Sequence, residues 1–137
     1  MPTVQSHYQG NLRTHNKHVS SGNTLLTDAP TDNQGKGEAF SPTDLVSAAL
    51  GSCMMTIMGI WATKNQVSLE GTTWETTKKM TSQPRKIASI EITFHFPSGL
   101  QLSQETRAQL EKVAKSCPVA LSLHPEVKQV VHFDYDA

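Results

Sequence analysis

Residues 41–61, SPTDLVSAALGSCMMTIMGIW, limit what this chain can fold into more than any other stretch. They open with the signals of a helix N-terminus. Ser41 supplies a capping oxygen, Pro42 suits the first helical position, and Asp44 sets a negative charge against the positive end of the helix dipole. Leu45, Val46, Ala48, Ala49, Leu50, Cys53, Met54, Met55, Ile57, Met58, Ile60 and Trp61 then wrap the helix instead of forming one stripe. Burial within a domain or at a subunit interface is therefore expected. Ser47, Gly51, Ser52, Thr56 and Gly59 interrupt the apolar run, which argues against a membrane span. Near the middle of this helix stands a thiol, Cys53.

The first forty residues read as strands and turns. Residues 3–9 carry Val4 and Tyr8 and end at Gly10-Asn11, which suits an edge strand and its turn. Residues 12–19 follow as a hairpin partner, and residues 24–27 as a short strand after Ser21-Gly22-Asn23. Residues 28–40, DAPTDNQGKGEAF, form a polar loop that delivers the chain to the helix cap. Beyond the helix, the Thr-rich residues 67–80 fit a strand with one wet face. In residues 87–96, IASIEITFHF, Ile90, Ile92, Phe94 and Phe96 alternate with Glu91, Thr93 and His95, the clearest strand pattern in the chain. Ser103 caps a second helix whose apolar positions include Leu110, Val113, Ala114 and Cys117. Pro118 ends that helix and opens a short one over residues 119–123, and residues 127–135 close the chain as a strand. With no repeats and no long linker, residues 1–137 are expected to form a single α+β domain.

Twelve Lys and Arg balance twelve Asp and Glu. This gives no electrostatic case for a nucleic-acid or anionic-membrane partner and tolerates self-association. The N-terminal MPTVQSHYQG has no apolar signal region, so a cytoplasmic location is expected. The two cysteines, Cys53 and Cys117, show no tight Cys-x-x-Cys spacing, and the six histidines show no metal-ligand spacing. Neither a structural zinc site nor a disulfide scaffold is expected. At the N-terminus of the short helix opened by Pro118, Cys117 would have its thiolate favoured by the helix dipole. Cys53, in a helix body, needs a nearby cation to ionise at neutral pH. Arg13, a permanent charge in a sparsely charged segment, is the candidate. From the residues alone, packing is the commoner role of cysteines on apolar helices.

As a set, several segments resemble the OsmC/Ohr family (osmotically inducible and organic hydroperoxide resistance proteins) over nearly the whole chain. They are LRT…H…SG…TDAP, SPTDLVSAALGSC, MTSQPRKI, and CPVALSLHP…FDY, whose Cys117 follows Cys53 by 117 − 53 = 64 positions. The resemblance implies an OsmC-like α+β fold, with antiparallel sheets around a long buried central helix, in an intertwined homodimer with two active sites at the subunit interface. It implies a thiol peroxidase without cofactor or metal. Cys53 would attack an organic hydroperoxide and become a sulfenic acid, and Cys117 would resolve it as a disulfide. A dithiol, protein-bound dihydrolipoamide in the best-known members, would reduce that disulfide. Arg13 would hold Cys53 as thiolate, and Phe40, Met54 and Met58 are candidates to line a pocket for the organic chain. One motif departs from the pattern. Peroxidase branches begin the long helix with Asn-Pro-Glu, whereas this chain has Ser41-Pro42-Thr43, so the carboxylate orienting the Arg must come from elsewhere. Glu38 is preferred over Asp44, which has its own role in the first helical turn. The competing expectation is a non-catalytic OsmC-like stress protein, or small-ligand binder, with Cys53 as core packing.

Overall fold

The computed structural model describes residues 1–136, which gather into two compact units, Met1–Val46 and the chain from Ser47 onward. In the first unit β1 (Val4–Gly10), β2 (Arg13–His18) and β3 (Thr24–Asp28) form an antiparallel sheet in that order. The β1–β2 loop is only Asn11-Leu12, at φ 56° and 62°. Two-residue hairpins that match strand twist favour positive φ at both loop positions. Asn11 adopts this readily and Leu12 does not. The Leu12 N–H donates to the Tyr8 hydroxyl at 3.1 Å, and its carbonyl accepts from the Ala29 N–H at 3.1 Å. This turn puts Arg13 at the first position of β2, directly opposite Asp28 at the end of β3.

The loop after β3 returns alongside it. Phe40 pairs with Thr27 in a parallel bridge, and the Asp28 N–H donates to the Phe40 carbonyl at 3.0 Å. A reciprocal capping box then starts α1 (Pro42–Lys64). The Asp44 N–H donates to Ser41 Oγ at 3.1 Å, and the Ser41 N–H donates to the Asp44 carboxylate at 2.9 Å.

In the second unit, the body of α1 is followed by β4 (Thr73–Ser82), β5 (Arg85–His95), α2 (Gln104–Lys115), α3 (Pro118–Ser122) and β6 (Lys128–Asp134). Here the sheet order is β4-β5-β6. β4 and β5 are antiparallel, but β5 and β6 run parallel, which corrects the expectation of wholly antiparallel sheets. The reason is topological: α2 and α3 form a crossover between β5 and β6, and only a crossover can bring adjacent strands into the same direction. β4 also starts later than its Thr-rich run suggests. Leu69 is buried, the Thr72 N–H turns back to its carbonyl, and Gly71 at φ 93° redirects the chain before Thr73.

Within the chain, α1 buries a stripe and not its whole circumference. Ser47, Leu50, Gly51, Met54, Met58 and Ala62 are buried, whereas Ala49, Ser52, Thr56 and Ile60 are exposed. The three- and four-residue spacing marks one helical face. That face joins Ile90, Ile92 and Phe94 of β5, Phe96 just beyond it, and Leu110 and Ala114 of α2 in the core. The interruptions at Ser47 and Gly51 fall on this buried face. A Cβ on Gly51 would stand 2.7 Å from Trp74 Nε1 and 3.1 Å from its Cδ1, so the missing side chain is what lets β4 approach the helix. The sequence argument against a membrane span also needs correcting. A 23-residue helix of this composition is long and apolar enough to cross a bilayer, and it is the packed stripe, not a shortage of apolar length, that defines its place in this fold.

Phe94 is fully buried and lies in an aromatic row with Trp74, Phe96 and Phe133, at centroid separations of 5.8, 6.5 and 5.7 Å. Phe94→Ala is expected to lower unfolding free energy by about 3–5 kcal/mol, measured by urea titration. On the outer face of the sheet, His95 Nε2 pairs with Glu75 at 2.9 Å and Nδ1 with Asp134 at 3.2 Å, spanning all three strands. Glu75 first, and then Asp134, raises the imidazole pKa above its ordinary 6.5. A group whose folded pKa is raised stabilises fully below its unfolded pKa and loses that contribution as pH rises through the folded one. The stability difference between wild type and His95→Gln should therefore be largest at pH 6 and shrink toward pH 9 in parallel urea titrations.

Candidate active site

The two thiols lie in the second unit. Cys53 projects from the middle of α1, half-buried and packed against the core beside Met54. Cys117 is placed by the residue after it. Pro118 has no N–H and cannot continue α2, yet it fits the first position of α3, so Cys117 is forced into extended backbone between them. It thereby becomes the N-cap of α3, fully buried, and its Sγ accepts the Ala120 N–H at 3.4 Å. Its thiol is also hydrogen-bonded to Cys53, and both cysteines are free. The structure thus brings together two sulfurs that are 64 positions apart in sequence.

The helix-dipole argument gives the correct geometry for Cys117 but the wrong net direction for its pKa. Burial pushes the thiol up, and contact with Cys53 adds to this, while the N–H groups of Ala120 and Val119 pull it down without prevailing. Desolvation of an anion outweighs two amide hydrogen bonds here. Cys117 is therefore held toward its protonated form.

The charged cluster lies in the first unit. Arg13 grips Asp28 side-on: Nε donates to Oδ1 and Nη2 to Oδ2, both at 2.7 Å. Nη2 also donates to Glu38 Oε1 at 2.8 Å. Hydrogen bonds to Asp28 and then Glu38 raise the guanidinium pKa still further above an already high value, so its charge is permanent. Asp28, buried at 2% exposure, is in turn held below the usual carboxylate range by Arg13, despite its burial, and with help from the Glu38 N–H at 2.9 Å.

The structure thus pairs Glu38 with Arg13 and commits Asp44 to the helix cap. Asp28 is the residue that sequence reasoning missed. Ending β3 at Thr27 left Asp28 in the polar loop, whereas counting the hairpin register one residue further would have set it opposite Arg13. The proposed pocket needs a larger correction. Met54 and Met58 are fully buried on the packed stripe, so neither can line a pocket for a substrate, and Phe40 is 55% exposed in the other unit. On α1 it is Met55 that borders open space, lining with Gly59, Ala62, Val67 and Leu69 a cavity of about 400 Å³. His124 ends the α3 segment and accepts the Glu126 N–H through Nδ1, a structural contact. Among the described residues, no His, Cys, Asp and Glu side chains gather into a metal site.

A family model described as OsmC-like protein matches residues 35–131. The chain is 46% identical to a protein from Psychrobacter arcticus 273-4 described as an osmotic stress induced and detoxification response protein. The match covers 97% of this chain and 96% of that one, with a TM-score of 0.92. It is also similar to an organic hydroperoxide resistance protein, OsmC, from Legionella pneumophila (18% identity, 98% of each chain, TM-score 0.75). A further similar structure is an organic hydroperoxide resistance protein from Vibrio cholerae with captopril bound in one of its active sites (18% identity, 97% and 92% covered, TM-score 0.73). At 18% identity these two speak for the fold alone. No functionally curated protein matches the chain.

The difference between the thiols has a direct readout. Iodoacetamide should modify Cys53 in the native protein at least about tenfold faster than Cys117, because alkylation needs an accessible thiolate and Cys117 is both buried and protonated. Peptide mass spectrometry of timed samples measures the two rates, and urea should equalise them.

Proposed function

The chain belongs to the OsmC-like protein family, and from that premise we propose that it is a cysteine-based thiol peroxidase acting on organic hydroperoxides. The observation that carries this reading is the hydrogen-bonded pair of reduced thiols, one half-exposed and one buried with its proton. A packing role for Cys53 asks for no such partner.

The reaction follows from the two environments. Cys53, as thiolate, attacks the terminal peroxide oxygen. The O–O bond breaks, the sulfur becomes a sulfenic acid, and the alkoxide leaves and takes a proton to become the alcohol. Cys117 then attacks the sulfenic sulfur. An S–S bond forms, the S–O bond breaks, and the hydroxyl leaves as water with the Cys117 proton. The sulfurs start in hydrogen-bond contact and must close to about 2 Å. An external dithiol, such as a protein-bound dihydrolipoyl group, restores both thiols by exchange and is itself oxidised. Arg13 supplies the permanent cation that a thiolate in a helix body requires, held by its carboxylate partners, Glu38 among them.

The working form is proposed to be a cytoplasmic homodimer. Two free thiols suit a reducing compartment. The exposed Ile60 and Val46 on α1, at 48% and 36% exposure, leave apolar surface for a second copy to cover, and the zero net charge raises no barrier to that.

The test is steady-state consumption of cumene hydroperoxide with dihydrolipoamide as reductant. Cys53→Ser should lose activity by several orders of magnitude, as removal of a nucleophile does. Cys117→Ser should form the sulfenic acid once and fail to turn over with the dithiol at the wild-type rate. Equal rates in wild type and Cys53→Ser would leave the non-catalytic reading in its place.

A further inference from the structure

We propose that Asp28 is the positioning residue that aims the Arg13 guanidinium, and that Glu38 is an exchangeable partner which gives way to the anion at the reacting centre. This inference rests on the thiol-peroxidase reading, but its geometry is contained in the first unit.

The two carboxylates are not equivalent. Asp28 sits opposite Arg13 in the strand register, so backbone pairing already sets the distance between them. Its side chain is 2% exposed and receives three N–H groups: Arg13 Nε, Arg13 Nη2 and the Glu38 backbone. The side-on grip fixes the guanidinium plane as well as its distance. The Glu38 side chain is 63% exposed and takes one N–H from Nη2. It rides on a loop with positive φ at Gln34 and Gly37, and that loop is tied down through the Glu38 backbone N–H to Asp28. Water can replace the Glu38 contact, whereas replacing the Asp28 contact would require opening the sheet edge.

Charge leads to the same assignment. With both carboxylates engaged, the guanidinium charge is fully offset by Asp28 and Glu38, and Lys36 acts on Asp28 as well. With Glu38 swung away, the Arg13–Asp28 pair is neutral and keeps its orientation. One Nη2 N–H is then vacated, and among the described residues the Nη1 end has no partner in either arrangement. Those are the donors an incoming anion would take.

The experiment uses the full chain and two readouts. The first is the Arg13 Nε–H resonance in nitrogen–proton correlation spectra, assigned by its loss in Arg13→Lys. It should be slow to exchange in wild type and in Glu38→Gln, and exchange-broadened in Asp28→Asn. The second is kcat/KM for cumene hydroperoxide together with the pH profile of Cys53 alkylation. Asp28→Asn should cost at least about ten times more kcat/KM than Glu38→Gln and move the alkylation profile to higher pH. If Asp28→Asn does not fold, Asp28→Glu and Glu38→Asp each shift a carboxylate by one methylene, and the first should lose more. Equal or larger losses at Glu38 overturn the assignment, as does an unchanged Nε–H signal in Asp28→Asn. A wild type that consumes no peroxide but shows the expected Nε–H pattern supports the positioning role and removes the peroxidase reading instead.

Discussion

The seating of the α1 stripe on β5 is the contact on which the second unit depends. Leu50, Met54 and Met58 have no exposure, and neither do Ile90, Ile92 and Phe94 facing them in the core. Each such side chain contributes about 1.5–3 kcal/mol relative to exposure. Because helical and strand periodicities differ, this contact fixes both the rotation and the height of α1. Gly51 refines the height by letting the Trp74 ring lie against the helix backbone. Once Met54 points into the core, Cys53 is one residue, about 100°, around the helix, at the border of the buried face. The half-exposure of its thiol is thus a consequence of core packing and not of local sequence.

The other thiol is set by an opposite device, a break in helical structure. Pro118 separates α2 from α3 and turns what would be a mid-helix side chain into an N-cap. The cap supplies an N–H to the sulfur, and the core supplies desolvation, which prevails. Two cysteines in contact are thereby made chemically unequal. In the proposed cycle, with Cys117 as the resolving thiol, a retained proton is useful. It leaves that sulfur unreactive toward peroxide and available to protonate the hydroxyl that departs from the sulfenic acid.

Much of this was legible because local signals agreed with the fold. Ser41, Pro42 and Asp44 mark the start of α1, the alternation from Ile90 to Phe96 marks β5, and Ser103 caps α2 with an N–H from Thr106 at 3.1 Å. What was not legible depended on pairing or on competing magnitudes. The parallel β5–β6 contact is a property of the crossover, not of either strand's composition. The apolar wrap of α1 could not say which face packs inside the chain, and so Met54 and Met58 were read as pocket when they are core. Asp28 was hidden by a one-residue difference in where β3 ends. The direction of the Cys117 shift turned on burial against hydrogen bonding, a balance that no motif reports.

The helix start shows why its own carboxylate is not free to pair with Arg13. In Ser41-Pro42-Thr43-Asp44 both polar ends of the cap are in use: Ser41 Oγ accepts the Asp44 N–H, and Asp44 accepts the Ser41 N–H. A carboxylate engaged with the first turn is favoured there by the dipole and by the Ser41 N–H that it accepts, so drawing it toward an arginine would open the capping box. Thr43 brings only a hydroxyl, which lies 3.3 Å from Ser41 Oγ. A cation in this unit must therefore find its partners on the hairpin and its returning loop. The hairpin provides one that is held by backbone register and the loop one that is held by solvent-exposed side-chain contact. A stiff carboxylate and a labile one on the same guanidinium keep its orientation separate from its availability, and this is the property that a carboxylate placed on the helix itself would have merged.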